Sequence, residues 1–123
     1  MKKILMIDDN KDLTEILSVY LSSEYEVQAF NDPEKALSYY QADPNYFVIV
    51  TDYYMPVLLG DKLIEQIFEI NPKQQIIIIS SGPLTKELSL VLDQYPALIK
   101  YVGKPCDLLE INEMVSSIAS SVN

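Results

Sequence analysis

The 123-residue sequence contains no histidine, no arginine and no tryptophan, and it has a single cysteine. Without histidine there is no imidazole to serve as general base, metal ligand or phosphoryl carrier. Without arginine, nine scattered lysines face eighteen acidic residues, a formal charge of −9. Surfaces that bind DNA or RNA cluster Lys and Arg against phosphates, so direct nucleic-acid binding is excluded as a function class. Cys106 has no partner for an internal disulfide, which fits a reducing compartment, and a small apolar filler is its simplest role. No apolar stretch approaches the roughly 20 residues of a membrane span. Met1-Lys2-Lys3 runs directly into a short apolar segment with no small-residue cleavage site, so neither a signal peptide nor a membrane partner is expected, and the protein is expected in the cytoplasm. The three glycines, Gly60, Gly82 and Gly103, form no phosphate-binding loop, which leaves nucleotide or flavin binding remote.

What remains is 49% hydrophobic, a composition that folds, and residues 1–123 are expected to form one domain. Strand-like runs cover Lys3–Ile7, Tyr25–Phe30, Phe47–Thr51, Ile76–Ile79 and Leu98–Gly103. Most are continuous apolar stretches, the pattern of parallel strands covered on both faces. Helical periodicity fills the gaps between them. Leu13, Ile16, Leu17, Tyr20 and Leu21 form one predicted core face, and Leu63, Ile64, Ile67 and Phe68 a second. Leu88, Val91, Leu92 and Tyr95 form a third, and Leu108, Ile111, Val115 and Ile118 a fourth. Asp32-Pro33 reads as an N-cap followed by proline at the first helical position, and Asn71-Pro72 as a helix stop. Asp107 and Glu110 have capping-box spacing. The alternation predicts an α/β fold of (βα)5 type, a doubly wound five-stranded parallel sheet with helices on both faces.

In such sheets functional groups gather just beyond the carboxyl ends of the strands. Asp8 and Asp9 follow the first run, Asp52 the third, Ser80 the fourth and Lys104 the fifth. Two carboxylates about 4 Å apart repel by about 4 kcal/mol at an effective dielectric near 20, so neighbouring acidic strand ends call for a cation. The acidic residues point to a divalent-metal site built around Asp52. Taken alone, each signal has a plainer reading: Asp8 and Asp9 as a cap for the next helix beside Asn10, Lys11 and Asp12, Lys104 as a solvated surface lysine, and Tyr101 as an amphipathic packing residue.

Taken together, the residues resemble the receiver domain of two-component response regulators. The resemblance spans the whole chain, rests on Asp8-Asp9, Asp52 with Met55-Pro56 and Gly60 after it, Ser80, Tyr101 and Lys104-Pro105, and implies a flavodoxin-like sheet of strand order 2-1-3-4-5. It implies that Asp52 is the phosphoacceptor nucleophile, attacking phosphorus to form an acyl phosphate. It implies Mg2+, with Mn2+ able to substitute, held by Asp9 and Asp52 directly, by Asp8 largely through water, and by the backbone carbonyl of Tyr54. Lys104 would balance phosphoryl charge, Ser80 would donate a hydroxyl hydrogen bond, and Ser80 and Tyr101 would carry the switch to the fourth helix, fifth strand and fifth helix. The implied partners are a sensor histidine kinase or phosphotransfer protein, and a downstream protein target or an output domain absent from this chain. The only catalysis implied is that of its own phosphorylation and dephosphorylation.

Several positions depart from the family pattern. Ser81 stands where a small apolar residue is common, Pro96-Ala97 replaces a common Gly-Ala, and Cys106 replaces a common phenylalanine. Tyr54, two residues after Asp52, is expected to shield the acyl phosphate and slow its hydrolysis. One alternative is a Mg2+-dependent phosphatase of the haloacid-dehalogenase type, but that class needs an aspartate where Tyr54 stands. Another is a non-phosphorylated pseudo-receiver acting as an interaction domain, which the complete acidic set argues against.

Overall fold

The structure, a computed structural model, describes residues 1–54, 60–80, 82, 84–105 and 107–121. Met55, Pro56, Ser81 and Cys106 lie outside the described residues. Strands β1 (Lys3–Ile7), β2 (Glu26–Phe30), β3 (Val48–Asp52), β4 (Ile76–Ser80) and β5 (Ile99–Gly103) alternate with helices α1 (Lys11–Leu21), α2 (Pro33–Ala42), α3 (Gly60–Ile70), α4 (Lys86–Gln94) and α5 (Leu108–Ser121). The strands pair in parallel in the order β2-β1-β3-β4-β5.

Successive strand side chains point to opposite faces, and the central strands are aliphatic on both. Leu5, Ile7, Ile49, Ile76 and Ile78 join Ala36 and Tyr40 of α2, Leu63 and Ile67 of α3 and Leu88 of α4 in one core layer. Ile4, Met6, Val48, Val50, Ile77 and Ile79 join Leu17 and Leu21 of α1 with Ile111, Val115 and Ile118 of α5 in the other. The uninterrupted isoleucines of β4 exist because that strand is roofed on both sides.

The predicted elements are all present, with shifted ends. β2 and β5 begin one residue later than the apolar runs, and the Tyr25 and Leu98 N–H groups turn back to Leu21 O (3.0 Å) and Tyr95 O (3.1 Å) in the preceding turns. β3 begins at Val48 rather than Phe47, and β3 and β4 continue through Asp52 and Ser80, which pair in register with Ile79 and Gly103. The expected core face of α1 is corrected. Ile16 and Tyr20 are 53% and 38% exposed, while Thr14, Leu17 and Leu21 are buried. The Thr14 hydroxyl accepts a hydrogen bond from Asn31 (3.0 Å), which centres the buried stripe on Thr14 and Leu17 and leaves Ile16 and Tyr20 on its flank.

Caps follow the sequence. Asp32 caps α2 ahead of Pro33 by accepting from Glu34 N–H at 2.9 Å. Asn10 caps α1 by accepting from Leu13 N–H at 3.2 Å. The Asp107 carboxylate accepts from Leu109 N–H at 2.9 Å, one residue short of the predicted capping-box partner. Among the described residues, no helix is long and apolar enough to cross a membrane.

Candidate functional site

Parallel register brings the carboxyl ends of the strands level. Ile7 pairs with Thr51, so Asp8, one residue on, lies beside Asp52 at the end of β3. Ser80 pairs with Gly103, and Lys104 N–H donates to Ser80 O at 2.7 Å, which continues the ladder one residue past β5. That backbone bond fixes where the lysine side chain departs. Its ammonium reaches back across β4, 2.9 Å from Asp8 Oδ2 and 3.5 Å from Asp52 Oδ2. Asp8 and Asp52 are buried and Asp9 is exposed.

Each group is held from behind. Asp8 Oδ1 accepts from Asn10 N–H (2.9 Å), while the Asp8 carbonyl accepts from the Asn31 amide (2.7 Å). Asp52 Oδ1 accepts a long bond from Tyr54 N–H (3.4 Å). The buried Ser80 hydroxyl accepts from Gly82 N–H at 3.2 Å. Tyr53 is buried, and its ring meets that of Tyr54 edge-on with centroids 4.9 Å apart. The Tyr54 ring in turn sits against Gly82, where a Cβ would fall 2.7 Å from Tyr54 Cζ. Only glycine fits beneath that ring without displacing it.

Burial pushes the Asp52 carboxyl above the ordinary carboxylate range. The charge of Lys104 opposes that shift, the charge of Asp8 adds to it, and the N–H groups of Tyr54 and Tyr53 also oppose it. Burial works against the Lys104 ammonium, but its hydrogen bond to Asp8 and the charges of Asp8 and Asp52 outweigh this and hold it above the usual lysine value. Lys104 is therefore a fixed positive charge shared by two carboxylates.

The acidic cluster also suits a metal. Asp8, Asp9 and Asp52 each offer an oxygen, and the three oxygens lie within 4.8 Å of one another. Oxygens on an octahedral Mg2+ ion sit about 3 Å apart when adjacent and about 4.2 Å when opposite, so the three carboxylates would draw in on such an ion. The donors are hard carboxylate oxygens, with no nitrogen or sulfur among them, which selects the Mg2+ and Mn2+ class. Exposed Asp9 gives an aqueous ion its way in.

The structure thus brings Asp8, Asp9, Asp52 and Lys104 together and sets Ser80 one strand away on the same edge of the sheet. Tyr101 lies on β5 three residues before Lys104, partly buried, with its ring against the α2–α3–α4 core layer. The sequence reading passed over Asn31 and Gly82. Asn31 directly follows β2, so the strand-end rule that flagged Asp8 applied equally to it. Gly82 carried no local signal, because its demand comes from a ring twenty-eight positions earlier in the chain.

A family model of the response regulator receiver domain matches residues 4–116. The chain is similar to the two-component response regulator ORR11 of Oryza sativa subsp. japonica, at 30% identity over 118 residues, which cover 94% of this chain and 79% of that protein. It is similar to the putative two-component response regulator ARR21 of Arabidopsis thaliana, at 33% identity over 116 residues, 93% of this chain and 19% of that protein. Among solved structures, a response regulator receiver domain protein from Clostridium thermocellum superimposes with a TM-score of 0.85 at 22% identity, covering 98% of this chain and 96% of that one. The chemotaxis protein CheY4 of Vibrio cholerae does so with a TM-score of 0.82 at 21% identity, covering 96% and 98%. At those identities the two structures establish the shared fold.

Proposed function

The chain belongs to the receiver-domain family of two-component response regulators, and from that premise we propose that Asp52 accepts the phosphoryl group that throws the switch. The observation that carries this reading is the Lys104 ammonium held 2.9 Å from Asp8 and 3.5 Å from Asp52 at the aligned strand ends. An Asp52 oxygen forms its bond to phosphorus as the bond from phosphorus to the donor's imidazole nitrogen breaks. That nitrogen keeps the electron pair, and because the donor's other ring nitrogen carries a proton the donor leaves as neutral imidazole. Lys104 is already charged and in place, so it needs little reorganisation to meet the incoming phosphoryl oxygens. Ser80 turns its hydroxyl from Gly82 to donate to the same group. Asp8, Asp9, Asp52 and the Tyr54 carbonyl would hold Mg2+, or Mn2+ in its place, which when bound neutralises charge between acceptor and phosphoryl group.

The donor is the phosphohistidine of a sensor histidine kinase or phosphotransfer protein in the cytoplasm. The reader is a protein target or an output domain, reached through Ser80, Tyr101 and the surface of α4, β5 and α5. Residues 1–123 act as one receiver unit that catalyses only its own phosphorylation and dephosphorylation. Tyr54 occupies the place where an aspartyl-nucleophile phosphatase needs an acid, which counts against turnover of external esters. Incubation with Mg2+ and acetyl phosphate is expected to give one hydroxylamine-labile phosphoryl group, lost in Asp52→Asn. Multiple turnover of phosphate esters would instead indicate a phosphatase, and absence of modification a pseudo-receiver.

A further inference from the structure

Away from the strand ends, α3 and α4 flank an open groove of about 590 Å3, within the size range of ligand-binding clefts. Its floor is apolar: Ile64 and Phe68 from α3, Val91 from α4, and Tyr95 just beyond it. The Phe68 and Tyr95 rings close one end with their centroids 4.5 Å apart. Leu90 stands on the lip, 58% exposed, a large apolar side chain with no burial to explain it. The charged rim is of one sign, with Glu65 and Glu69 on α3 and Glu87 on α4, all exposed. Lys62 lies 3.8 Å from Glu65, but both ends of that pair are about two-thirds in solvent, so it screens little of the rim.

We propose that this groove docks a basic amphipathic helix of a partner protein, with apolar anchors on the floor and lysines or arginines against Glu65, Glu69 and Glu87. The charge pattern selects the occupant. A second copy of this chain, packed face to face, would set the three glutamates against themselves, and a molecule of charge −9 gains nothing from that. Anionic lipid and nucleic acid meet the same repulsion. A helix offering anchors at i, i+3, i+4 and i+7 matches an apolar strip bounded by α4, whose nine residues span about 14 Å. Nothing in this docking requires Asp52 to be phosphorylated.

A probe of roughly 14 residues, Leu at the anchor positions and Lys elsewhere, carries the test, with a scrambled peptide of equal composition as control. Fluorescence anisotropy on the full chain is expected to give binding about tenfold tighter for the amphipathic probe than for the scramble. Leu90→Lys and Glu69→Lys, both at exposed positions, should each weaken it by about tenfold, while Glu24→Lys on the far side changes it little. Amide shifts in 15N spectra should centre on Phe68, Leu90 and Tyr95. Equal binding of the scramble, indifference to Leu90→Lys, or shifts centred elsewhere would overturn the proposal. Self-association in sedimentation that is abolished by Leu90→Lys would assign the groove to a second copy and overturn it equally.

Discussion

Lys104 carries more of the resting site than any other side chain. It is the counter-ion for two buried carboxylates, so replacing it leaves both facing each other across the strand ends. Lys104→Met is expected to lower the unfolding free energy of the metal-free protein by about 2 kcal/mol in urea titrations, less than a fully buried pair because its side chain is 17% exposed. Asp52→Asn acts in the opposite direction. Burial raises the Asp52 pKa on folding, so its favourable contribution exists only below the unfolded value and is lost as pH rises through the folded one. At neutral pH the charged form is a cost, and Asp52→Asn should stabilise the metal-free chain in the same titrations, a gain that disappears in acid. Tyr54 and Gly82 form a second residue-scale unit. Gly82→Ala forces the ring aside, so its phosphorylated form should lose phosphate about as fast as that of Tyr54→Ala, several-fold faster than the parent. Because both changes remove one contact, the double variant should decay no faster than either single one.

At the scale of elements, α2 is anchored by a polar bolt. Tyr40 is fully buried and donates to Gln74 Oε1 at 2.7 Å, while Gln74 Nε2 donates to the carbonyls of Tyr46 and Gln75, both at 3.1 Å. The end of α2, the approach to β3 and the start of β4 therefore share one amide. Burial pushes the Tyr40 hydroxyl up to about 12, tempered by Asn71. Its contribution is complete below the ordinary tyrosine value and is lost as pH rises towards 12. Tyr40→Phe leaves Gln74 Oε1 without its donor and should cost about 1–2 kcal/mol at neutral pH. The gap between parent and variant should shrink in denaturation series taken above pH 10. None of this was legible beforehand. Tyr40 and Gln74 are thirty-four residues apart, and no local pattern links them. β1, β3 and β4 were legible because burial on both faces leaves an unbroken aliphatic signature. The face of α1 was misjudged at Ile16 and Tyr20 because periodicity finds a stripe but not its centre, which a distant Asn31 sets.

For the whole molecule, the acidic cluster is expected to make stability answer to divalent ions. An ion that binds only the folded chain at about one hundred times its Kd adds about 2.7 kcal/mol, roughly 10 °C in Tm for a domain of this size. Mg2+ titrations in scanning calorimetry should show that rise, and Asp9→Asn, which removes a proposed ligand at an exposed position, should reduce it sharply. The strand ends that build this site were readable from the sequence as acids and a lysine closing apolar runs. Their mutual distances were not, because those follow from the sheet's order and register, which pair residues nearly a hundred positions apart.

β4 holds a liability as well as a core. Gln74 to Ser80 is a seven-residue stretch with no charge and no proline, four of its members isoleucine, guarded upstream by Pro72 and Lys73. Folded, Ile76–Ile79 are hidden between β3 and β5 and under helices on both faces. Such a segment is what cross-β assembly recruits once its edge is free. β4 needs only one neighbour to leave before its edge is free, since β5 ends the sheet. Loss of β5 alone would therefore turn the best-buried part of the core into a seed for aggregation, and the hydrogen bonds that hold β5 in place guard solubility as much as signalling.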